Sequence, residues 1–203
     1  VAVVTVSRQY GAGGLRVAPR LAEILGLRFV DREIVEEAAR RIGVDPEVAR
    51  GLDERAPALI EEVGLALAAG TPELGATPRP DERSLAEAVE VVIRSLADAG
   101  GFVILGRGGQ AILADRPDAC HVALVGTLED RAARIAASQG IDPRDARQRC
   151  ERMDAERAGW VQRFHGVDVD DPLRYHAVLN TSRLGIDRAV DVAAEVVRRT
   201  LGT

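Results

Sequence analysis

Val1-Ala-Val-Val-Thr-Val6 is a continuous apolar, largely β-branched run, and it passes directly into Ser7-Arg-Gln-Tyr-Gly-Ala-Gly-Gly14. Apolar residues at Leu15, Ala18, Leu21, Ala22 and Leu25 then follow a helical period that Gly26 closes. A strand that is apolar on both faces has to be covered on both faces, which is the pattern of a parallel sheet with helices above and below it. A strand, a glycine-rich turn and a helix N-terminus in that order also make a phosphate site. The glycines let backbone N–H groups converge, and the helix end adds positive potential. A tight strand-to-helix turn with glycines kept for packing has the same sequence, so the motif alone leaves both readings open. The apolar run is short and has no basic lead, so it reads as a strand rather than a signal peptide.

The alternation continues along the chain. Leu27–Val30 reads as a short second strand, and Asp31 caps a helix over Arg32–Ile42 with Glu33 near its start. Ser84 caps a helix over Leu85–Ala99, Phe102–Leu105 is a strand, and the turn Gly106-Arg-Gly-Gly109 follows. His121–Val125 is a strand and Thr127 starts a helix over Leu128–Ser138. Asp142–Phe164 holds one or two highly charged helices, His176–Leu179 is a last strand, and Ile186–Leu201 is an amphipathic helix. Five short strands alternating with helices predict a three-layer α/β/α domain around a five-stranded parallel sheet, with ligands at the strand C-terminal ends. Residues 43–81 break the rhythm. They carry helical patches over Pro46–Leu52 and Ala58–Ala69, then three prolines and two glycines in residues 70–80, the marks of an irregular functional insertion.

Composition narrows the function. Hydrophobic residues at 46% against 29% charged fit a soluble globular chain, and 203 residues suffice for one sizeable core. No apolar run approaches the ~18 residues of a membrane span. A net charge of −5 argues against a general nucleic-acid partner. Cys120 and Cys150 lack metal or redox spacing and suit a reducing, cytoplasmic location. The 27 basic residues are all arginine. A chain without lysine has no lysine Schiff base, no lysine general base and no lysine of a standard phosphate loop. Such a loop ends Gly-Lys-Ser/Thr, whereas here the residues are Gly13-Gly14-Leu15.

Several segments stand in a characteristic order: Ser7 to Gly14, Phe29-Val-Asp-Arg-Glu33, Ile104-Leu-Gly-Arg-Gly108, Leu128-Glu-Asp-Arg131, Arg152-x-Asp-x-x-Arg157 and Leu179-Asn-Thr-Ser-Arg-Leu184. This series resembles the cytidylate kinase-like family, relatives of the nucleoside monophosphate kinases in the P-loop NTPase superfamily. The resemblance covers nearly the whole chain and is weakest over Gly43–Asp81. It implies a single P-loop kinase-like domain with a core of residues 1–42, 82–140 and 168–203, an acceptor-binding insertion at 43–81 and a mobile lid at 141–167. It also implies ATP as donor, Mg²⁺ held mainly by phosphates and water, and a small phosphorylated acceptor such as CMP. Gly11, Ala12, Gly13, Gly14 and Leu15 would meet the donor phosphates, with Arg131, Asn180 and Thr181 also on the donor side. Asp31, Arg32, Arg107, Asp154 and Arg163 would face the acceptor. Arg8, Arg152 and Arg157 would carry the transferring phosphoryl group.

The chain departs from the family at several points. The loop lysine and hydroxyl are missing, and Gly108 replaces the acid of a Gly-Arg-Asp turn, which removes a nucleoside contact. Glu37 stands where cytidylate kinases carry an arginine, and no Walker B aspartate follows Phe102–Leu105. Phosphoryl transfer needs positioning and positive charge more than covalent help, so arginine can stand in for lysine. Arg8 precedes the glycines and can point into the site, whereas Arg16 suits solvent equally well. Most other charges of 142–164 read as a solvated helix laced with ion pairs. Trp160 and Phe164, four residues apart, read as packing within the lid, His121 as a satisfied core or edge histidine, and both cysteines as inert. Two alternatives stand beside the kinase reading. One is a non-catalytic nucleotide- or anion-binding module on the same fold, motivated by the missing lysine, hydroxyl and acid. The other is a kinase for a non-nucleotide metabolite, motivated by Gly108 and the irregular insertion.

Overall fold

The computed structural model describes residues 2–41, 43 and 82–202. Five strands, β1 (Val3–Arg8), β2 (Arg28–Val30), β3 (Phe102–Leu105), β4 (Ala119–Val125) and β5 (Ala177–Asn180), form one parallel sheet in the order β2-β3-β1-β4-β5. The helices are α1 (Gly14–Leu25), α2 (Arg32–Arg41), α3 (Glu82–Ala99), the short α4 (Gly109–Ile112), α5 (Leu128–Gln139), α6 (Pro143–His165) and α7 (Thr181–Leu201). β1 lies between β3 and β4, with Thr5 opposite both Ile104 and His121. The strand order turns at β1, and in open parallel sheets such a switch point opens a crevice beyond the strand C-termini.

β1 shows why the sheet is layered. Alternation sends Val4, Val6 and Arg8 to one face and Thr5 and Ser7 to the other. The first face is dry: Val4, Val6, Val103, Leu105, Val122 and Leu124 pack against Val17 and Leu21 of α1 and Ala189, Val190 and Ala193 of α7. The second face mixes buried Val3, Phe102 and Ile104 with polar pairs. Thr5 Oγ1 and His121 Nδ1 share a hydrogen bond of 2.7 Å, and the Ser7 hydroxyl donates to Gln110 Oε1 at 3.0 Å. His121 is the satisfied core histidine its strand position predicts, and burial, then His176, push its pKa down to about 4.

Element ends follow local chemistry. The Thr127 hydroxyl accepts from the Asp130 N–H at the start of α5, and Asp142 caps α6 through the Arg144 N–H. Gly26, Gly140 and Gly166 end α1, α5 and α6 in the left-handed conformation that favours glycine. Residues 143–165 form one continuous helix packed on α5 through Ala132, Ile135, Ala146 and Cys150. Three details differ from expectation. α3 begins at Glu82, which puts Ser84 inside the helix rather than at its cap, and α4 was not anticipated. α7 bends at Gly185 (φ 74°, ψ 170°), so its regular part starts at Ile186. The helical patches and proline-rich stretch expected within 44–81 lie outside the described residues.

Packing divides the chain into two compact units, Val1–Asp31 with Ile93–Thr203, and Arg32–Val92. The first holds the sheet. In the second, Glu37 accepts from Arg40 at 2.9 Å and Arg41 at 3.1 Å, which keeps its carboxyl below the usual carboxylate range. Among the described residues, no helix is long and apolar enough to cross a membrane.

Candidate active site

The turn after β1 is built so that only glycine fits at two places. Gly11 (φ 79°) approaches α5, where an added Cβ would lie 2.7 Å from the Arg131 carbonyl oxygen. Gly13 (φ 91°) caps α1, and a Cβ there would lie 2.2 Å from Ile186 Cδ1. The Ala12 N–H donates to Gln9 O at 3.1 Å and closes the turn. The Arg16 and Val17 N–H groups both donate to Gly13 O, so Gly14 and Leu15 head the helix with amides that have no intrahelical acceptor. Those two amides carry the positive end of the α1 dipole. The side chain of Leu15 is exposed.

The loop carbonyls are held from outside. Arg131 Nη1 donates to Tyr10 O at 2.9 Å, and Arg134 Nη1 donates to Gly11 O at 3.2 Å. Because a trans peptide points its C=O and N–H in opposite directions, pinning the Tyr10 carbonyl turns the Gly11 amide the other way. Asp154 of α6 completes the clamp. Its Oδ1 accepts from the Tyr10 N–H and its Oδ2 from Arg131 Nη1, both at 2.6 Å. Arg134 also reaches Thr181 Oγ1 and O, each at 3.0 Å, so Thr181, fully buried, braces the loop. Asn180 caps α7 by accepting from the Ser182 and Arg183 N–H groups.

Arg8 lies along this loop between two glycines. A Cβ on Gly14 would come 2.9 Å from Arg8 Cγ, and one on Gly106 would come 1.8 Å from Arg8 Nη1. Gly14 is the position of the lysine in a standard phosphate loop, so the stem of Arg8 passes where that side chain would begin. Burial pushes the Arg8 pKa down to about 9, with Arg157 and Arg107 adding like-charge repulsion and Asp31 only partly opposing it. Arg107 pairs with Asp31 at 3.2 Å, with both side chains mostly buried. It is the only described non-glycine residue with positive φ (58°), and it stands between Gly106 (73°) and Gly108 (69°). A left-handed conformation costs a non-glycine residue about 1–2 kcal/mol, so the turn stores strain in order to present Arg107. Arg157 comes from α6, 5.2 Å from the Tyr10 ring centroid. Its buried Nη1 has no hydrogen-bond partner among the described residues, and burial lowers its pKa.

The structure therefore gathers Arg8, Arg107 and Arg157 around Asp31, and joins Arg131 and Asp154 to the loop. It does not bring every expected residue to the same place. Arg152 is exposed and lies 3.5 Å from Glu156, and Arg163 is exposed with its guanidinium 5.8 Å from the Phe164 ring. Arg32 is exposed at the head of α2 in the second unit. Gly108, where the family motif has an acid, is covered by α6: a Cβ there would meet His165 Nε2 at 2.8 Å and Trp160 Cζ3 at 3.2 Å. Trp160 in turn packs on Phe164 and His165 with ring centroids 5.2 and 5.3 Å away. Arg134 is the functional residue that sequence reasoning missed. Its i, i+3 spacing from Arg131 put both on one helix face and was the available signal. Among the described residues no group of three or more His, Cys, Asp or Glu is placed to hold a metal ion. A cation accompanying donor phosphates would be held by phosphate oxygens and water.

Comparison with known proteins agrees with this geometry. The chain superposes on an uncharacterized protein from Eubacterium ventriosum with a TM-score of 0.72 at 19% identity, covering 97% of this chain and 98% of the other. It superposes on a gluconokinase from Sinorhizobium meliloti with a TM-score of 0.58 at 16% identity, covering 99% and 94%. These likenesses show a P-loop kinase-like fold. In sequence it is 31% identical over 202 residues to a cytidylate kinase from Ignicoccus hospitalis, with 98% of each chain covered. Residues 3–183, from the first buried strand to the start of the last helix, match the Cytidylate kinase-like family, and the chain belongs to it.

Proposed function

We propose that the protein is a nucleotide-dependent phosphotransferase that moves the γ-phosphoryl group of ATP to a nucleoside monophosphate, with CMP as the leading acceptor. One observation carries this reading. Arg8 runs past Gly14, where a standard phosphate loop carries its lysine, and lies close enough to Arg157 and Arg107 for their charges to help lower its pKa. Arginines gathered in this way suit a phosphate chain, which has the charge to meet several guanidinium groups.

On this reading the Gly11, Gly14 and Leu15 amides take the donor phosphates, and Arg8 supplies the charge a lysine would. Arg107, held by Asp31, orients the acceptor phosphate, and Arg157 meets the transferring group. An acceptor phosphate oxygen forms the new bond to the γ-phosphorus, and the bond to the β–γ bridging oxygen breaks, releasing ADP. Preorganised charge of this kind is the main catalytic resource in phosphoryl transfer. Arg131, Arg134 and Asp154 position the loop. Asn180 and Thr181 lie beside the donor base. Arg152 and Arg163 stand outside the proposed cluster. A cytoplasmic location accords with the two free cysteines.

The test is ADP release from Mg²⁺-ATP with CMP, UMP, dCMP and AMP, each compared with the Arg8→Met variant. Turnover of one monophosphate that collapses in the variant supports the proposal. A second reading, a kinase for a non-nucleotide metabolite, is favoured by the covering of Gly108 by Trp160 and His165, where a base-reading acid would otherwise project. Turnover on sugar acids or polyols but on no monophosphate decides for it. Tight ATP binding without turnover on either panel decides for a non-catalytic binding module.

A further inference from the structure

The second face of the sheet holds a feature that the arginine cluster does not use. A cavity of about 490 Å³ opens among α4, β4 and the segment that leads into β5, with Gln110, His121, Asp171, Arg174 and His176 in its lining. Its volume lies within the range of small-molecule sites. Gln110 is 2% exposed, and its Oε1 is engaged by the Ser7 hydroxyl, which leaves Nε2 buried with no hydrogen-bond partner among the described residues. Arg174 Nε is also buried without one, since Asp171 Oδ2 at 3.8 Å is beyond hydrogen-bond reach. Buried donors of this kind are rare in folded proteins, because a buried amide or guanidinium N–H needs an acceptor.

Most other polar groups of the cavity are already engaged, with Asp171 Oδ2 left as a carboxylate oxygen 3.8 Å from Arg174 Nε. His121 Nδ1 is bonded to Thr5, and His176 Nδ1 accepts from the His121 N–H at 3.0 Å. The Tyr175 hydroxyl donates to Val169 O at 2.7 Å, and Asp171 Oδ1 accepts from the Leu173 N–H at 3.0 Å. What the cavity lacks is an acceptor within hydrogen-bond reach of Gln110 Nε2 and Arg174 Nε among the described residues. We propose that it is a second binding site, distinct from the phosphate loop, for a small molecule bearing an oxyanion, a carboxylate or a phosphate. Gln110 Nε2 and the Arg174 guanidinium donate to that oxyanion. Ser7 directly precedes Arg8 and Gln110 lies three residues beyond Arg107, so the site shares its supporting chain with the arginine cluster while standing on the opposite face of β1.

The chain has three histidines, so His176 can be followed as a reporter by NMR of histidine-labelled full-length protein. Inorganic phosphate and acetate are titrated separately. A saturable shift of the His176 ring signals is expected with at least one of them. It should weaken at least tenfold in Gln110→Leu and in the less buried Arg174→Gln, and persist in Arg8→Met. Saturation by phosphate alone assigns a phosphate ligand, and saturation by acetate alone assigns a carboxylate. Failure of both probes to move His176 overturns the proposal. A shift that survives Arg174→Gln in folded protein also overturns it, as does one that vanishes in Arg8→Met, because either places the binding elsewhere. The proposal of phosphotransferase activity stands or falls separately, since neither Gln110 nor Arg174 takes part in it.

Discussion

Arg152 and Arg157 stand five residues apart on α6 and meet different surroundings. Arg152, with 66% of its side chain exposed, lies 3.5 Å from Glu156. Arg157 turns inward over Tyr10 toward Arg8, and its Nη1 has no hydrogen-bond partner among the described residues. The outer face of the helix repeats the first pattern, with Arg147 between Glu129 at 2.9 Å and Glu151 at 3.5 Å, and Arg149 on Gln139 at 2.8 Å. One residue type thus does two jobs on one helix. Where every arginine has an acid or amide to answer it, the charge is spent on solubility and weak pairing. Where burial begins, Arg157 lies close to Asp154 and Asp31, yet its Nη1 goes unanswered among the described residues.

The contrast can be broken most decisively at Arg8. Arg8→Met keeps the stem between Gly14 and Gly106 and removes the charge, and turnover is expected to fall by about 10²–10³-fold, the loss typical of removing one preorganised charged donor. The same change relieves an uncompensated buried cation, so the ligand-free variant should melt higher by roughly 2–6 °C. The sign of the pH effect follows from the lowered pKa. Below about pH 9 Arg8 is charged and its burial costs stability, and as pH rises through 9 that cost fades. The melting gap between variant and wild type should therefore narrow above pH 9. A variant as active as wild type, or a gap that widens, removes Arg8 from the site.

Smaller effects sharpen the comparison along α6. Arg157→Met is expected to cost about 10- to 100-fold in kcat, while Arg152→Met stays within about threefold. Equal losses would mean that helix α6 turns in the closed complex. Asp154→Asn keeps the acceptor for the Tyr10 N–H but loses the charge facing Arg131, and should raise the KM for ATP about five- to tenfold with kcat little changed. A fall in kcat alone would instead place Asp154 at the transferring group. Arg147→Gln, on the outer face, should leave the midpoint of urea unfolding essentially unmoved.

Much of this architecture is legible in the chain because its strands are buried on both sides. Val3–Val6, Phe102–Leu105 and the apolar part of β4 contain no polar interruption except Thr5 and His121, and those two bond each other. The loop glycines were legible as a choice between packing and phosphate binding, and the structure shows the packing demand at Gly13 against Ile186 and leaves the Gly14 amide without an intrahelical acceptor. The path of Arg8 was not legible. It depends on Gly106, almost a hundred residues away, leaving room for a guanidinium, and no local pattern records that. Nor was the covering of Gly108, which depends on α6 being one unbroken helix long enough to bring Trp160 and His165 back over the β3 turn. Arg134 was legible through its spacing from Arg131 but had no motif to draw attention to it.

The close approach of Arg8 Cγ to the Gly14 Cα–Cβ direction has a consequence for how such a loop can change. A side chain at position 14 and an arginine at position 8 claim the same space, so the two sites are mutually exclusive owners of one charge. A lysine loop cannot be restored here by Gly14→Lys alone, since the new stem would meet the old one. Position 8 must first be emptied, and between those two steps the loop has no cation of its own. Arg107 and Arg157 are the groups that would have to keep the site attractive to phosphate during that interval.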